Sequence, residues 1–161
     1  MSELIRPAEL QALRAPLQRY AQRYLVRFED AEDVVQDVFT RTLQAKSAPK
    51  ELRSWLYRAI RNACLNKLRS SSRQNEIELA STFDMGAEQT GHLTRMIRAE
   101  DDGHLAGELA RLSPAQREAV YLRYIEDLTR EEIAAVLEVS VSVVKSRIYE
   151  GLARLRDLAK D

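Results

Sequence analysis

Two segments in the last third of the chain begin in the same way, with Thr129 followed three residues later by Glu132 and Ser113-Pro-Ala followed by Gln116. A Ser or Thr that accepts the N–H three residues on, answered by a Glu or Gln reaching back, is a capping box and fixes where a helix starts. Downstream, apolar residues recur at helical spacing: Ala119, Val120, Leu122 and Tyr124 after the first box, Ile133, Ala134 and Leu137 after the second. Ser140 is placed to cap one more helix, in which Val144, Ile148, Leu152 and Leu155 should face the core. Its opposite face carries Ser142, Lys145, Ser146 and Tyr149, side chains able to bond phosphates or base edges. Two such helices joined by a tight turn form a helix-turn-helix, a device that carries side chains into a DNA major groove. A helical hairpin whose polar face is merely solvated fits the same pattern.

The first part of the chain predicts three further helices. Pro7 suits a first helical position, and Leu10, Leu13, Leu17, Ala21 and Tyr24 follow at helical spacing. Pro16 inside that run should kink the helix or mark a fresh start. Asp30 is placed to cap a second helix through Val34, Val35, Val38, Phe39 and Leu43, and the stretch from Lys46 to Lys50 with Pro49 reads as a loop. The third helix has Leu52, Trp55, Leu56, Ala59, Ile60, Ala63 and Leu68 on its apolar side. Cys64 falls within this pattern as a buried structural thiol.

From Ser70 to about His104 the periodicity fades, with Gly86, Gly91 and Gly103 among scattered acids, although Leu93 to Ile97 could form a helical turn. It returns at Leu105. No strand alternation or internal repeat is visible, so the expected fold is all-α, with two small helical domains at 1–72 and 105–161 joined by a flexible linker at 73–104. Across the 161 residues, Lys+Arg and Asp+Glu balance at 25 each. The balance hides a gradient: residues 1–75 hold 14 basic against 8 acidic side chains, residues 76–102 hold 2 against 7, and residues 103–161 hold 9 against 10. A basic first domain is therefore masked by an acidic middle. With one cysteine no intrachain disulfide can form, which fits a reducing compartment. No apolar run approaches a membrane span, and the N-terminus lacks the order of a secretion signal, so the expected location is the cytoplasm.

The third helix also carries Arg58, Arg61, Asn62, Asn66 and Arg69 on a broad polar, basic face, with Trp55 and Tyr57 near its start. Basic groups that hold a phosphate backbone beside rings that accept unstacked bases are what single-stranded DNA requires. For Trp55 itself the apolar stripe favours the core. The second helix exposes Asp30, Glu32, Asp33 and Asp37 with Gln36 among them, a face better suited to a protein partner than to DNA. Acids near a helix start also favour the helix dipole, which accounts for Asp30 to Asp33 but not for Gln36 and Asp37. Catalysis finds little support. His92 and His104 have no nearby cysteine or ligand spacing, so neither a metal nor another cofactor is expected, and no phosphate loop or nucleophile constellation occurs.

Four segments occur in the order typical of bacterial extracytoplasmic-function RNA polymerase sigma factors: Asp30-Ala-Glu-Asp-Val-Val-Gln-Asp-Val-Phe39, Ser54-Trp-Leu-Tyr-Arg-Ala-Ile-Arg-Asn62, Leu112-Ser-Pro-Ala-Gln-Arg-Glu118 and Val144-Lys-Ser-Arg147. The chain resembles that family over nearly its whole length outside the linker. The resemblance implies a σ2-like and a σ4-like domain, and a non-enzymatic subunit that brings core RNA polymerase to promoter DNA. It assigns Asp33, Gln36 and Asp37 to the polymerase clamp. It assigns Arg58, Arg61, Asn62 and the loop before Trp55 to the minus-ten element, and Trp55, Asn66 and Arg69 of the same helix face are expected to bind there with them. Lys145, Ser146, Arg147 and Tyr149 would read the minus-thirty-five element, with Ser142 of the polar face expected beside them, and the acidic linker would thread through polymerase. An anti-sigma factor is a further partner common in the family.

Three positions depart from the family pattern. Glu138 stands at a turn position where glycine is frequent, Glu150 where a base is common, and Asn66 where an acid is common. A stand-alone helix-turn-helix regulator would explain the last third of the chain but not the acidic second helix or the basic third. A protein-interaction module that has lost DNA binding would draw its support from Glu138 and Glu150.

Overall fold

The computed structural model describes residues 5–71, 83–84 and 112–160. Among them the chain is all-α: α1 (Pro7–Tyr24), α2 (Phe28–Gln44), α3 (Leu52–Ser71), α4 (Pro114–Tyr124), α5 (Arg130–Leu137) and α6 (Val141–Lys160). These helices belong to two compact units that divide between residues 82 and 83. The expected turn at Leu93 to Ile97, the return of periodicity at Leu105, the glycines at 86, 91 and 103, and both histidines lie outside the described residues.

In the first unit each of the three helices packs on the other two. Pro7 occupies the first turn of α1, where its missing N–H costs nothing. Pro16 does not start a new helix; α1 runs through it unbroken. The lost backbone bond is offset by the apolar side that continues past it, since Leu17, Tyr20, Ala21 and Tyr24 are all buried. Tyr20 is the hub of this core. Its ring lies 6.0 Å edge-on from Tyr24 and 5.4 Å from Tyr57, within the range where aromatic pairs attract beyond their area.

α2 begins two residues before the expected cap. Arg27 occupies the cap position without a side-chain bond, and Asp30 falls in the first turn together with Glu29. There Asp30 favours the positive end of the helix dipole and meets Lys67 of α3 at 3.4 Å, so it joins two helices instead of starting one. Val34, Val35, Val38 and Phe39 turn inward as expected. Leu43 does not: at the end of the helix it is 47% exposed.

α3 brings the clearest reversal. Leu56, Ile60 and Cys64 are buried, but Trp55, which the apolar stripe assigned to the core, is 38% exposed, and Tyr57 is buried in its stead. The stripe on α3 is displaced toward Tyr57 because Tyr20 offers a ring there. A helix packed against two neighbours buries a broader arc than the narrow stripe that spacing alone selects.

In the second unit α6 packs on both α4 and α5. Both capping boxes are formed. Gln116 N–H donates to Ser113 at 3.2 Å and Ser113 N–H to Gln116 at 3.2 Å, while Glu132 N–H donates to Thr129 at 3.1 Å and Thr129 N–H to Glu132 at 3.0 Å. Ser140 accepts the N–H of Val143 at 3.2 Å and so caps α6 as expected. Val144, Ile148 and Leu155 are buried, and Leu152 is half-buried. Gly151 brings α6 against α4, because a methyl group there would stand 3.2 Å from a Val120 methyl. Phe83, in the stretch expected to be a tether, is buried with its ring 5.3 Å edge-on from Tyr121.

Between α5 and α6 the backbone of Glu138 is left-handed, with φ 57 and ψ 45. Val139 N–H then reaches back to the carbonyl of Ala134 at 3.1 Å, a closure that usually employs glycine. A non-glycine residue in this conformation costs about 1–2 kcal/mol, part of which is recovered because glycine would lose more entropy on folding. Replacing Glu138 by glycine should therefore raise the stability of the second unit by up to about 1 kcal/mol. Trp55 is the only tryptophan and belongs to the first unit. In urea, the E138G chain should lose circular dichroism later, while its tryptophan fluorescence midpoint stays in place.

Candidate nucleic-acid interface

Helical geometry sorts the expected residues of α3 by direction. At 3.6 residues per turn, Trp55, Arg58, Asn62, Asn66 and Arg69 fall along one stripe, and Arg61 lies to one side. The stripe is open to solvent along its length, whereas Arg61 is half-buried. Arg69 donates to the amide oxygen of Asn66 at 3.2 Å, which holds two of the polar side chains in register. Trp55 stands at the N-terminal end, where its backbone N–H bonds the carbonyl of Glu51 at 3.0 Å. A partly exposed ring on a stripe that also carries cations is an arrangement that base stacking can use.

Asn66 also lines a shallow groove with Asp33, Val34, Asp37, Arg41, Ala63 and Lys67. The acids of α2 and the polar stripe of α3 therefore meet along one seam. Asp33, Gln36 and Asp37 are all exposed. Asp37 pairs with Arg41 one turn on, at 2.9 Å. Gln36 accepts a bond at 3.1 Å from Arg14 of α1, a contact across two helices that no spacing in the sequence announces.

On α6, Ser142, Lys145, Ser146 and Tyr149 share one exposed stripe, and Tyr149 is 76% exposed. Arg147 is half-buried and points to the side of it, while Glu150 is exposed at the stripe's edge. The turn ahead of this helix pair is held by a buried bond in which the Tyr121 hydroxyl donates to the Glu126 carboxylate at 2.7 Å. Asp127, the next residue, is left-handed with φ 57, and Arg123 approaches it at 3.6 Å. Neither Tyr121 nor Asp127 stood out in the sequence, since a buried hydroxyl and a strained turn leave no periodic mark. No group of His, Cys, Asp and Glu able to hold a metal occurs among the described residues.

Among the described residues, each of the two units holds three helices and one exposed polar stripe, the first led by tryptophan and the second carried on a helix-turn-helix. Residues 10–74 match the model of sigma-70 region 2, and residues 105–155 match that of sigma-70 region 4. The extracytoplasmic-function sigma factor SigL of Mycobacterium tuberculosis is 30% identical over 146 residues, which cover 88% of this chain and 81% of that protein. The sigma-E factor of Haemophilus influenzae is 31% identical over 80% of this chain and 74% of its own length. SigE of Mycolicibacterium smegmatis is 34% identical over 88% of this chain, which spans 57% of that longer protein. The chain belongs to the extracytoplasmic-function RNA polymerase sigma factors. A solved structure of the sigma factor RpoE in complex with the anti-sigma factor NepR, from Bartonella quintana, shares the fold with a TM-score of 0.60 at 21% identity, covering 95% of both chains.

Removing the Tyr121 hydroxyl takes one donor from a carboxylate that is 6% exposed. Y121F should destabilise the second unit by about 1–3 kcal/mol. The loss should be visible in urea unfolding by circular dichroism and absent from the tryptophan transition.

Proposed function

We propose that this chain is a dissociable promoter-specificity subunit that docks on core RNA polymerase, recognises the minus-ten and minus-thirty-five elements, and helps to open the duplex. Its own chemistry is binding, and polymerase supplies the catalysis. The observation that carries the reading is the pairing, in one chain, of a sigma-70 region 2 whose α3 stripe is exposed with a region 4 whose α6 stripe is exposed.

In this reading α2 docks on the clamp through Asp33, Gln36 and Asp37. Trp55, Arg58, Arg61, Asn62, Asn66 and Arg69 melt and read the minus-ten element. The exposure of Trp55 supports its use as a platform for an unstacked base, and Arg58 and Arg69 follow it on the same stripe of α3. Ser142, Lys145, Ser146 and Tyr149 contact the minus-thirty-five element, with half-buried Arg147 at the margin. The left-handed Glu138 supports an intact helix-turn-helix, since the turn closes despite the missing glycine. Glu150 weakens the grip at one edge by repelling phosphate. The domains used are 1–72 and 105–161, with 73–104 joining them and Phe83 of that stretch packed on the second. No described helix is long and apolar enough to cross a membrane, and the chain acts where polymerase does, in the cytoplasm. An anti-sigma factor is a further proposed partner, supported by the complex in which the structural neighbour was solved.

With core enzyme, the protein should direct run-off transcription from specific fragments of its own genome, and failure on every fragment would sink the proposal. Once bound to core, a single-stranded minus-ten oligonucleotide should quench the Trp55 fluorescence, and W55A should abolish open-complex formation without loss of core binding. Promoter binding should also weaken steeply with salt, with a slope close to the number of phosphates neutralised. E150Q should tighten it by roughly two- to five-fold at low salt.

A further inference from the structure

The α2 face has a cation that its own helix does not supply. Arg14 of α1 crosses to it, and among the described residues its contacts are neutral ones. Its Nη2 donates to the amide oxygen of Gln36 at 3.1 Å, its Nε donates to that of Gln11 at 3.1 Å, and its guanidinium lies 4.9 Å from the centre of the Phe39 ring. Among the described residues no carboxylate pairs with it. Three supports fix the plane of a side chain that would otherwise sample many rotamers, and a fixed guanidinium fork is well matched to a carboxylate.

Its surroundings are ordered by charge. Across the exposed arc of α2, helical spacing sets Gln36, Asp33, Asp37 and Arg41 side by side, so Arg14 stands at one margin, the acids in the middle and Arg41 at the other margin. The two margins differ. Arg41 is committed to Asp37 at 2.9 Å, whereas Arg14 keeps its charge available while its position is held. Asp33 likewise makes no ion pair among the described residues. A partner that brings a cation toward Asp33 and a carboxylate toward Arg14 would satisfy both, and the alternation would fix its register.

We infer that Arg14 is part of the docking surface and pairs with a carboxylate of core polymerase, with Gln36 holding the guanidinium for that contact. This inference rests on the reading of the α2 face as the polymerase-docking surface. It gives Gln36, besides its place on that face, the role of positioning Arg14.

The test is the affinity of the full chain for core polymerase at low and at high salt, for the wild type, R14K, R14Q and D33N, with the tryptophan unfolding midpoint of each variant measured alongside. R14Q should bind roughly five- to tenfold more weakly at low salt, and the gap should narrow at high salt as the pair is screened. R14K, which keeps the charge and loses the fork, should fall between. The midpoints of both should match the wild type. Equal affinity of R14Q and wild type would overturn the inference, as would a deficit indifferent to salt, or one that follows a lowered midpoint in both variants. If D33N binds as well as wild type, the reading of the whole face fails. If D33N weakens binding and R14Q does not, only the role of Arg14 falls.

Discussion

None of these helices would be firmly formed by itself in water, because a single helix of 8 to 20 residues gains too little from its backbone bonds to offset the cost of nucleation. Each is held by burying one side against two others. In units this small most of the large apolar residues are spent on that task, and Tyr20, with Tyr24 and Tyr57 against it, anchors the first unit in the way that Tyr121, with Phe83 and Glu126, anchors the second. What remains outside is one polar arc per helix. Recognition is confined to those arcs, and the choice of side chains on each is free of any demand from the core.

That freedom explains how a chain with no net charge can serve two kinds of partner. Acids on α2 and bases on α3 lie on adjacent helices of the same unit, close enough that Lys67 and Asp30 pair across the boundary and Asn66 shares a groove with Asp33 and Asp37. In the proposed reading a protein partner and a nucleic-acid strand are held side by side, with the sign of the field changing over the width of two helices. Averaged over the chain the charges cancel, and only their placement carries information.

The sequence was most readable where a signal is local. Capping boxes at Ser113 and Thr129 and the cap at Ser140 involve residues three apart, and all were formed as expected. The buried side of α6 followed from spacing alone. Legibility failed where the outcome depends on a neighbour distant in the chain. Trp55 and Tyr57 are nearly adjacent on α3, and which of them turns inward is decided by Tyr20, some thirty-five residues away. Asp30 has the composition of a cap, but the helix begins before it and Asp30 instead meets Lys67 of α3. Arg14 belongs to α1 by sequence and to the surface of α2 by reach. The family resemblance supplied roles for whole faces, yet it could not separate the open stripe of α6 from half-buried Arg147.

Cys64 has no accessible surface, and its sulfur is packed 4.0 Å from the carbonyl of Ala21. The only thiol of the chain is therefore shielded by the same three-helix core that orients the α2 and α3 faces. Oxidants and alkylating reagents can reach it only when that core opens, so its rate of modification is a direct gauge of how often the first unit breathes. For the same reason a cysteine placed anywhere on the surface would be the sole reactive one while the protein is folded. A dye or crosslinker could be attached to either unit with no need to disturb the native residue.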